Sequence, residues 1–177
     1  GFGGGSPYKA NTESWNGTSW TEVNDMNTAR EFVAGSGTQT AALGAGGYGP
    51  PPTTTSNKVE KWDGTAWTET TEINTARSQA SAVGEGYQSL LFGGDKHPAS
   101  PRLANETESW NGTAWTELNN LNTARRSIFN SGFGRQSQAI LPAGYTTTNV
   151  ASVEAWNGSS WSEVNDISTA TRNVMGA

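Results

Sequence analysis

Hydrophobic positions along this chain occur in short stretches, and one arrangement of them recurs four times. Each copy reads Glu, a variable residue, Trp, Asn or Asp, and Gly, and a second Trp follows the first by five residues. Short runs bounded by Gly, Asn and Ser are typical of strands and turns, and long segments of helical period are absent. The pattern therefore predicts an all-β protein. Its paired tryptophans are Trp15 and Trp20, Trp62 and Trp67, Trp110 and Trp115, and Trp156 and Trp161.

Each copy predicts four short strands. The Trp-Asn-Gly-Thr-x-Trp step predicts a tight hairpin between strands three and four, since Asn-Gly and Asp-Gly suit the positive φ of such turns. Two further strand-like stretches lie between one hairpin and the next. We expect strand one at Glu31–Ser36, Ser78–Gly84 and Arg126–Ser131, and strand two at Thr40–Gly47, Ser89–Gly94 and Gln138–Gly144.

A period of about 47 residues with four strands favours the blades of a β-propeller, because one blade alone cannot bury both of its faces. Gly-Gly closing strand two, Val59-Glu60-Lys61-Trp62, Trp67 and Asn74-Thr75-Ala76-Arg77 together resemble a kelch repeat. The turn between strands three and four is shorter than the usual kelch form. We expect one kelch-like propeller domain over residues 1–177, with repeats at approximately 1–30, 31–77, 78–125 and 126–177.

Two sets of residues recur in fixed places and predict the packing between blades. We expect all eight tryptophans to be largely buried, each pair packing on a neighbouring blade. The recurring glutamates and arginines favour a structural role in which a partly buried Arg bonds carbonyls or a Glu of the adjacent blade. They are Glu13, Glu60, Glu108 and Glu154, and Arg30, Arg77 and Arg125.

Candidate binding residues lie in the connections between strands two and three, which differ in length and content while the scaffold repeats. Variable loops on a constant scaffold are where binding proteins diversify. The alternative interpretation is a set of solvated loops stiffened by proline. These connections are predicted at Ser6–Asn11, Tyr48–Asn57, Asp95–Glu106 and Tyr145–Asn149, and the candidates are Tyr8, Tyr48, Lys96, His97, Arg102 and Tyr145.

Composition disfavours catalysis and several classes of partner. His97 is the only histidine and Cys is absent, so nucleophile–base chemistry and a copper oxidase centre of the kelch type both lack their residues. We expect no enzyme activity, no cofactor and no metal. Net charge is −5 without clustered Lys or Arg, which disfavours nucleic acid, and no apolar run is long enough for membrane insertion.

The resemblance implies a non-enzymatic binding or structural module. Similar repeats in bacteriophage tail and appendage proteins present loops to a host surface, which favours a virion or extracellular location, a glycan or protein surface as partner, and contact with other subunits of an assembly. The alternative is an intracellular kelch domain that binds proteins.

The two ends of the chain predict alternative closures. Gly1–Gly5 reads as strand two of a blade and Thr171–Ala177 as strand one. Pairing between them would close a four-bladed ring. Otherwise the four blades are an arc of a larger propeller.

Overall fold

The chain forms four antiparallel sheets in sequence order, which we number as blades 1 to 4 of a β-propeller. This architecture is taken from a computed structural model, which describes residues 1–5, 8–50, 55–85 and 87–174. Blade 1 has three strands and the other blades have four, each in the up-and-down order that short hairpins produce. No helix occurs among the described residues, and none of them forms a span long and apolar enough to cross a membrane as a helix.

The strands are bounded as follows. Blade 1 contains β1 (Phe2–Gly4), β2 (Lys9–Trp15) and β3 (Trp20–Val23), and blade 2 contains β4 (Ala34–Thr38), β5 (Ala41–Ala45), β6 (Val59–Trp62) and β7 (Trp67–Thr70). Blade 3 contains β8 (Ser81–Glu85), β9 (Gln88–Asp95), β10 (Leu103–Trp110) and β11 (Trp115–Leu118). Blade 4 contains β12 (Phe133–Arg135), β13 (Gln138–Pro142), β14 (Val153–Trp156) and β15 (Trp161–Val164).

The Trp hairpins form in every blade with the two indoles directly opposite each other, as for Trp110 and Trp115, whose rings lie 5.3 Å apart. The turn depends on its first two residues in different ways. Asn111 Oδ1 accepts the backbone N–H groups of Thr113 and Ala114, both at 2.9 Å, and Gly112 takes a φ of 97°. Asp63 replaces Asn in blade 2 and accepts the same two bonds, which lower the pKa of its carboxyl.

The first strand of blade 4 begins later than the sequence predicts. Arg126–Ser131 was expected to be extended, but Ser127 and Asn130 both have a φ of 56° and Ser131 N donates to Ile128 O across a tight turn. Two left-handed residues in this stretch are incompatible with a strand. The first strand of this blade is β12 instead, which follows the predicted stretch in the sequence.

Six tryptophans are buried and join neighbouring blades. The Nε1 of Trp67 in blade 2 donates to Thr12 of blade 1 at 2.9 Å, and the Nε1 of Trp161 in blade 4 donates to Thr107 of blade 3 at 3.0 Å. The expectation of burial is wrong for Trp15 and Trp20, which are 42% and 57% exposed. Each Trp pair is covered by the preceding blade, and blade 1 has no such neighbour among the described residues.

Buried ion pairs accompany these contacts. An Arg at the end of one blade reaches the Glu of the next: Arg30 to Glu60 at 2.9 Å, Arg125 to Glu154 at 2.5 Å, and Arg77 to Glu108. All six side chains have no exposed surface. Burial lowers the pKa of the Arg30 and Arg77 guanidinium groups, while the facing carboxylates favour the charged form.

The described residues form an open arc. Hydrogen bonds join blades 1 and 2, 2 and 3, and 3 and 4, but none among the described residues joins blade 4 to blade 1. The expected C-terminal strand is not formed over the described positions 171–174: Thr171 makes an isolated bridge to Val150, and Asn173 N donates to Ser127 O. Residues 175–177 lie outside the described part of the chain.

Candidate binding face

The connections between second and third strands lie on one side of the blades, which we call the loop face. Three of the strands reach further into these connections than the sequence predicts, since β2 begins at Lys9, β9 ends at Asp95 and β10 begins at Leu103. Backbone bridges pair Tyr48 with Glu31, Asp95 with Ser78, and Tyr145 with Arg126. Tyr48, Asp95 and Tyr145 therefore occupy the same position in blades 2, 3 and 4.

Aromatic side chains from three blades form a row on the loop face. The rings of Tyr8 and Tyr48 have centroids 6.1 Å apart, and those of Tyr48 and His97 are separated by 6.5 Å. Each of these three residues is half-buried. Partial burial raises the pKa of the Tyr8 hydroxyl, and the nearby Tyr48 and Glu31 add to the effect. Residues at least 40 positions apart in sequence are thus brought into one continuous surface.

Asp95 connects this row to a basic cluster. Its carboxylate is buried and accepts two hydrogen bonds from Arg102 Nε at 2.8 and 2.9 Å, one from Arg102 Nη2 at 2.7 Å, one from Arg126 at 3.0 Å, and one from the backbone N–H of His97 at 3.0 Å. Burial alone would raise the pKa of Asp95, but the bonds from Arg102 and His97 bring it below its ordinary value. The same bond raises the pKa of Arg102, which remains half exposed. Asp95 thus fixes two guanidinium groups beside the tyrosine row.

Tyr145 extends the cluster into blade 4. The guanidinium carbon of Arg126 lies 5.0 Å from the centre of the Tyr145 ring, and that of Arg172 lies 5.1 Å from it. Both distances fall within cation–π range. We call the resulting surface the loop-face track. It consists of Tyr8, Tyr48, His97, Arg102, Arg126, Tyr145 and Arg172.

Lys96 is the one candidate that the structure places apart from the track. Its ammonium group pairs with Glu106 at 2.5 Å, and only 13% of its side chain is exposed. Burial would raise the pKa of Glu106, but the hydrogen bond from Lys96, a backbone hydrogen bond and the charges of Lys96 and Arg77 together lower it. This pair stabilises the base of the longest connection in blade 3.

Three members of the cluster were missed by sequence reasoning: Asp95, Arg126 and Arg172. Their signal was present in the repeat itself. Asp95 aligns with Tyr48 and Tyr145, and Arg126 follows the recurring Arg125 directly, so aligning the copies residue by residue would have placed all of them on this face.

The opposite side of the blades carries the Asn-Gly turns and is nearly uniform from copy to copy. One isolated aromatic–basic contact occurs there, where the Lys61 ammonium group lies 5.7 Å from the centre of the Tyr87 ring. It is made of two residues and does not extend to other blades among the described residues.

The acidic and histidine side chains do not form a metal centre in the described part of the chain, where no three of them are grouped closely enough to hold an ion. The backbone N–H of His97 donates to Asp95, whose carboxylate already bonds two arginines. A base engaged in this way is poorly placed to accept a proton.

Blades, hairpins and inter-blade packing define the chain as a β-propeller repeat protein. A solved structure titled "Structure of YjhT" resembles it with a TM-score of 0.75 at 12% sequence identity, over 97% of this chain and 68% of that chain. Similarity at this identity shows the shared fold alone. Comparison with family models finds no match, and comparison with curated protein sequences finds none either.

Proposed function

We propose that this protein is a non-enzymatic binding module of the kelch type that holds a glycan on a host surface through the loop-face track. The observation that carries the proposal is the continuity of the track across all four blades. Tyrosine rings and fixed guanidinium groups lie together on one surface, and this combination offers apolar faces to sugar rings and charge-assisted hydrogen bonds to their oxygens.

The electrostatics of the track support binding over catalysis. Asp95 is neutralised by Arg102 and Arg126, so two positive charges face one negative charge in this part of the surface. Cationic and aromatic groups held in place lose little conformational freedom when a ligand binds. The Thr-rich, Cys-free repeat supports a location in a virion or on an extracellular surface, where a propeller would serve as one part of a larger assembly.

A second candidate function is protein recognition inside the cell. Tyrosine and arginine are enriched in the cores of protein–protein interfaces, and the track contains three of the first and three of the second. A flat surface lined by these residues would suit a folded partner as well as a glycan.

A glycan array probed with the purified protein tests the proposal. The variant Tyr48→Ala/Arg102→Ala removes one ring and one guanidinium, and we expect at least a tenfold loss of binding to the glycans that the unaltered protein retains. The matched control is Lys61→Ala/Tyr87→Ala, which removes an aromatic–basic pair from the opposite face and should leave binding unchanged.

Equal losses in the two variants would place the site elsewhere. Binding to no glycan, together with Tyr48- and Arg102-dependent capture of a protein partner, would favour the second candidate function. Melting temperatures of all three proteins, measured in parallel, separate loss of binding from loss of folding.

A further inference from the structure

One joint recurs three times between successive blades, and each copy contains the same parts. In the joint between blades 2 and 3, Arg77 pairs with the buried Glu108, and Asn74 donates to the same carboxylate from its backbone and side chain at 2.8 and 2.9 Å. The Trp110 and Trp115 pair packs in one apolar cluster with Ile73 and strand residues of blade 2. Each joint thus needs an Asn-Thr-Ala-Arg segment from the preceding blade.

Blade 1 has the Glu and the Trp pair of a fourth joint, but no Asn-Thr-Ala-Arg segment packs on them among the described residues. Glu13 occupies the position of Glu108 but is exposed, and no cation pairs with it among the described residues. Trp15 and Trp20 keep the tilted geometry of the buried pairs, with ring centroids 5.3 Å apart and an angle of 42° between the ring planes, while remaining exposed. A preformed carboxylate and two indoles held in place are therefore available on this edge.

A cleft beside the same blade has the position of a missing strand. In blade 3, the first strand β8 lies between β9 of its own blade and β4 of the preceding one. Blade 1 has no strand in that place. A cleft of about 780 Å³ lies there instead, lined by Gly1 and by Phe2 of β1 in blade 1 and by Gly35, Ser36 and Gly37 of β4 in blade 2.

One continuous segment can pair with Glu13 and also occupy the cleft between β1 and β4. Three residues separate Arg77 from β8, and three separate Arg30 from β4, so in these two joints the Arg leads directly into the first strand of the next blade. The occupant of the Glu13 site would thus deliver a strand directly to the edge of β1. An unpaired edge strand is a template for such addition.

The free edge of blade 4 does not supply this occupant. Gly144 N donates to Thr171 O just as Gly94 N donates to Arg125 O, so Thr171 stands where the joint needs Arg, and Ser168 stands where it needs Asn. Docking of this edge, from the same chain or from a second copy, would bury Glu13 without a guanidinium. An uncompensated buried charge is strongly destabilising.

We infer that the Glu13, Trp15 and Trp20 edge of blade 1 is a docking surface for a further blade of this repeat type, one that ends in Asn-Thr-Ala-Arg and continues into a strand beside β1. The occupant is specified by charge and by shape: the guanidinium pairs with Glu13, and the strand fills the cleft between β1 and β4. The surface extends the arc in one direction only.

Fusing such a segment to the chain tests the inference. Residues 73–90 placed before Gly1 supply Ile73, the Asn-Thr-Ala-Arg segment and a first strand in the register of the third blade, because Phe2 corresponds to Phe92; each ring lies 4.8 Å from a Trp of the next blade. We expect the melting temperature to rise by at least about 4 °C, the shift that one to two kcal/mol produces in a domain of this size.

The matched control carries Arg77→Thr within the fused segment, which reproduces the residue at the free edge of blade 4. It should lose most of the gain, and Glu13→Gln in the main chain should abolish the difference between the two fusions. Equal melting temperatures for the Arg and Thr fusions would overturn the inference. So would a stable homo-oligomer of the unfused chain in which Trp15 and Trp20 are protected from acrylamide quenching, since a second copy would then fill the surface.

Discussion

Arg30 in blade 1 donates from Nη2 to Glu60 Oε1 in blade 2 across 2.9 Å, and neither side chain has any exposed surface. The same carboxylate accepts the backbone and side-chain N–H groups of Asn27 at 2.6 and 2.9 Å. Arg30 also bonds the carbonyls of Gly46 and Lys58. One glutamate therefore organises a loop of the preceding blade, and its removal would leave several buried polar groups without partners.

The first prediction concerns this ion pair. Glu60→Ala should lower the free energy of unfolding by about 3–5 kcal/mol, since it leaves a buried guanidinium uncompensated. The control is Glu69→Ala, which breaks the pair with Lys58 on the surface; there the glutamate is 54% exposed, and we expect a much smaller loss because water screens exposed ion pairs. Urea denaturation followed by circular dichroism measures both, and similar small losses would show that the joint does not depend on its charges.

The second prediction concerns the two kinds of tryptophan. Trp110→Ala removes a fully buried ring and should cost about 3–5 kcal/mol. Trp20→Ala removes a tryptophan from the hairpin of blade 1. Because that side chain is 57% exposed, the substitution should cost about 1 kcal/mol or less. Equilibrium unfolding of the two variants decides the point. A large loss from Trp20→Ala would mean that the edge of blade 1 is covered in solution.

The third prediction is a dependence of stability on pH. The pKa of Asp95 is lowered in the folded protein, so its contribution is present above the ordinary aspartate pKa and is lost as pH falls through the folded value. Stability should therefore decrease below about pH 4, and Asp95→Asn should show a shallower decrease over that interval. Thermal unfolding between pH 2 and 7 measures it. The control is Asp166→Asn, at an exposed aspartate. The prediction would be contradicted if stability depended on pH in this control as weakly as it does in Asp95→Asn.

The fourth prediction concerns the hairpin glycines. Gly112 has a φ of 97°, and a Cβ placed on it would meet no atom within 4 Å, so backbone strain is isolated from steric clash. Gly112→Ala should therefore destabilise the protein by about 1–3 kcal/mol. Thr113→Ala, in the same turn, keeps the backbone bonds to Asn111 and should change stability by no more than about 0.5 kcal/mol. Thermal denaturation of the two variants measures both effects. A melting temperature of Gly112→Ala equal to that of the unaltered protein would contradict the prediction.

Much of the candidate site could be anticipated from the repeat. Tyr8, Tyr48, His97, Arg102 and Tyr145 were assigned to one face because strand order alternates the two ends of each blade. Their mutual distances could not be predicted, because they depend on the angle between blades. The assembly of Arg102 and Arg126 on Asp95 depends on an acidic residue from a neighbouring strand end, and no spacing in the chain encodes that contact.

The sequence by itself determined the units: four Trp hairpins, a recurring Glu and Arg, and turns built on Asn-Gly or Asp-Gly. These depend on interactions within about ten residues, where backbone preferences and hydrogen-bonding side chains act directly. Only the tertiary structure decided which of the Trp hairpins are buried against a neighbouring blade. Trp20 and Trp67 both lie in the local sequence Gly-Thr-x-Trp-Thr-Glu, yet one is exposed and the other buried, because burial depends on the blade that packs against them and not on the strand that carries them.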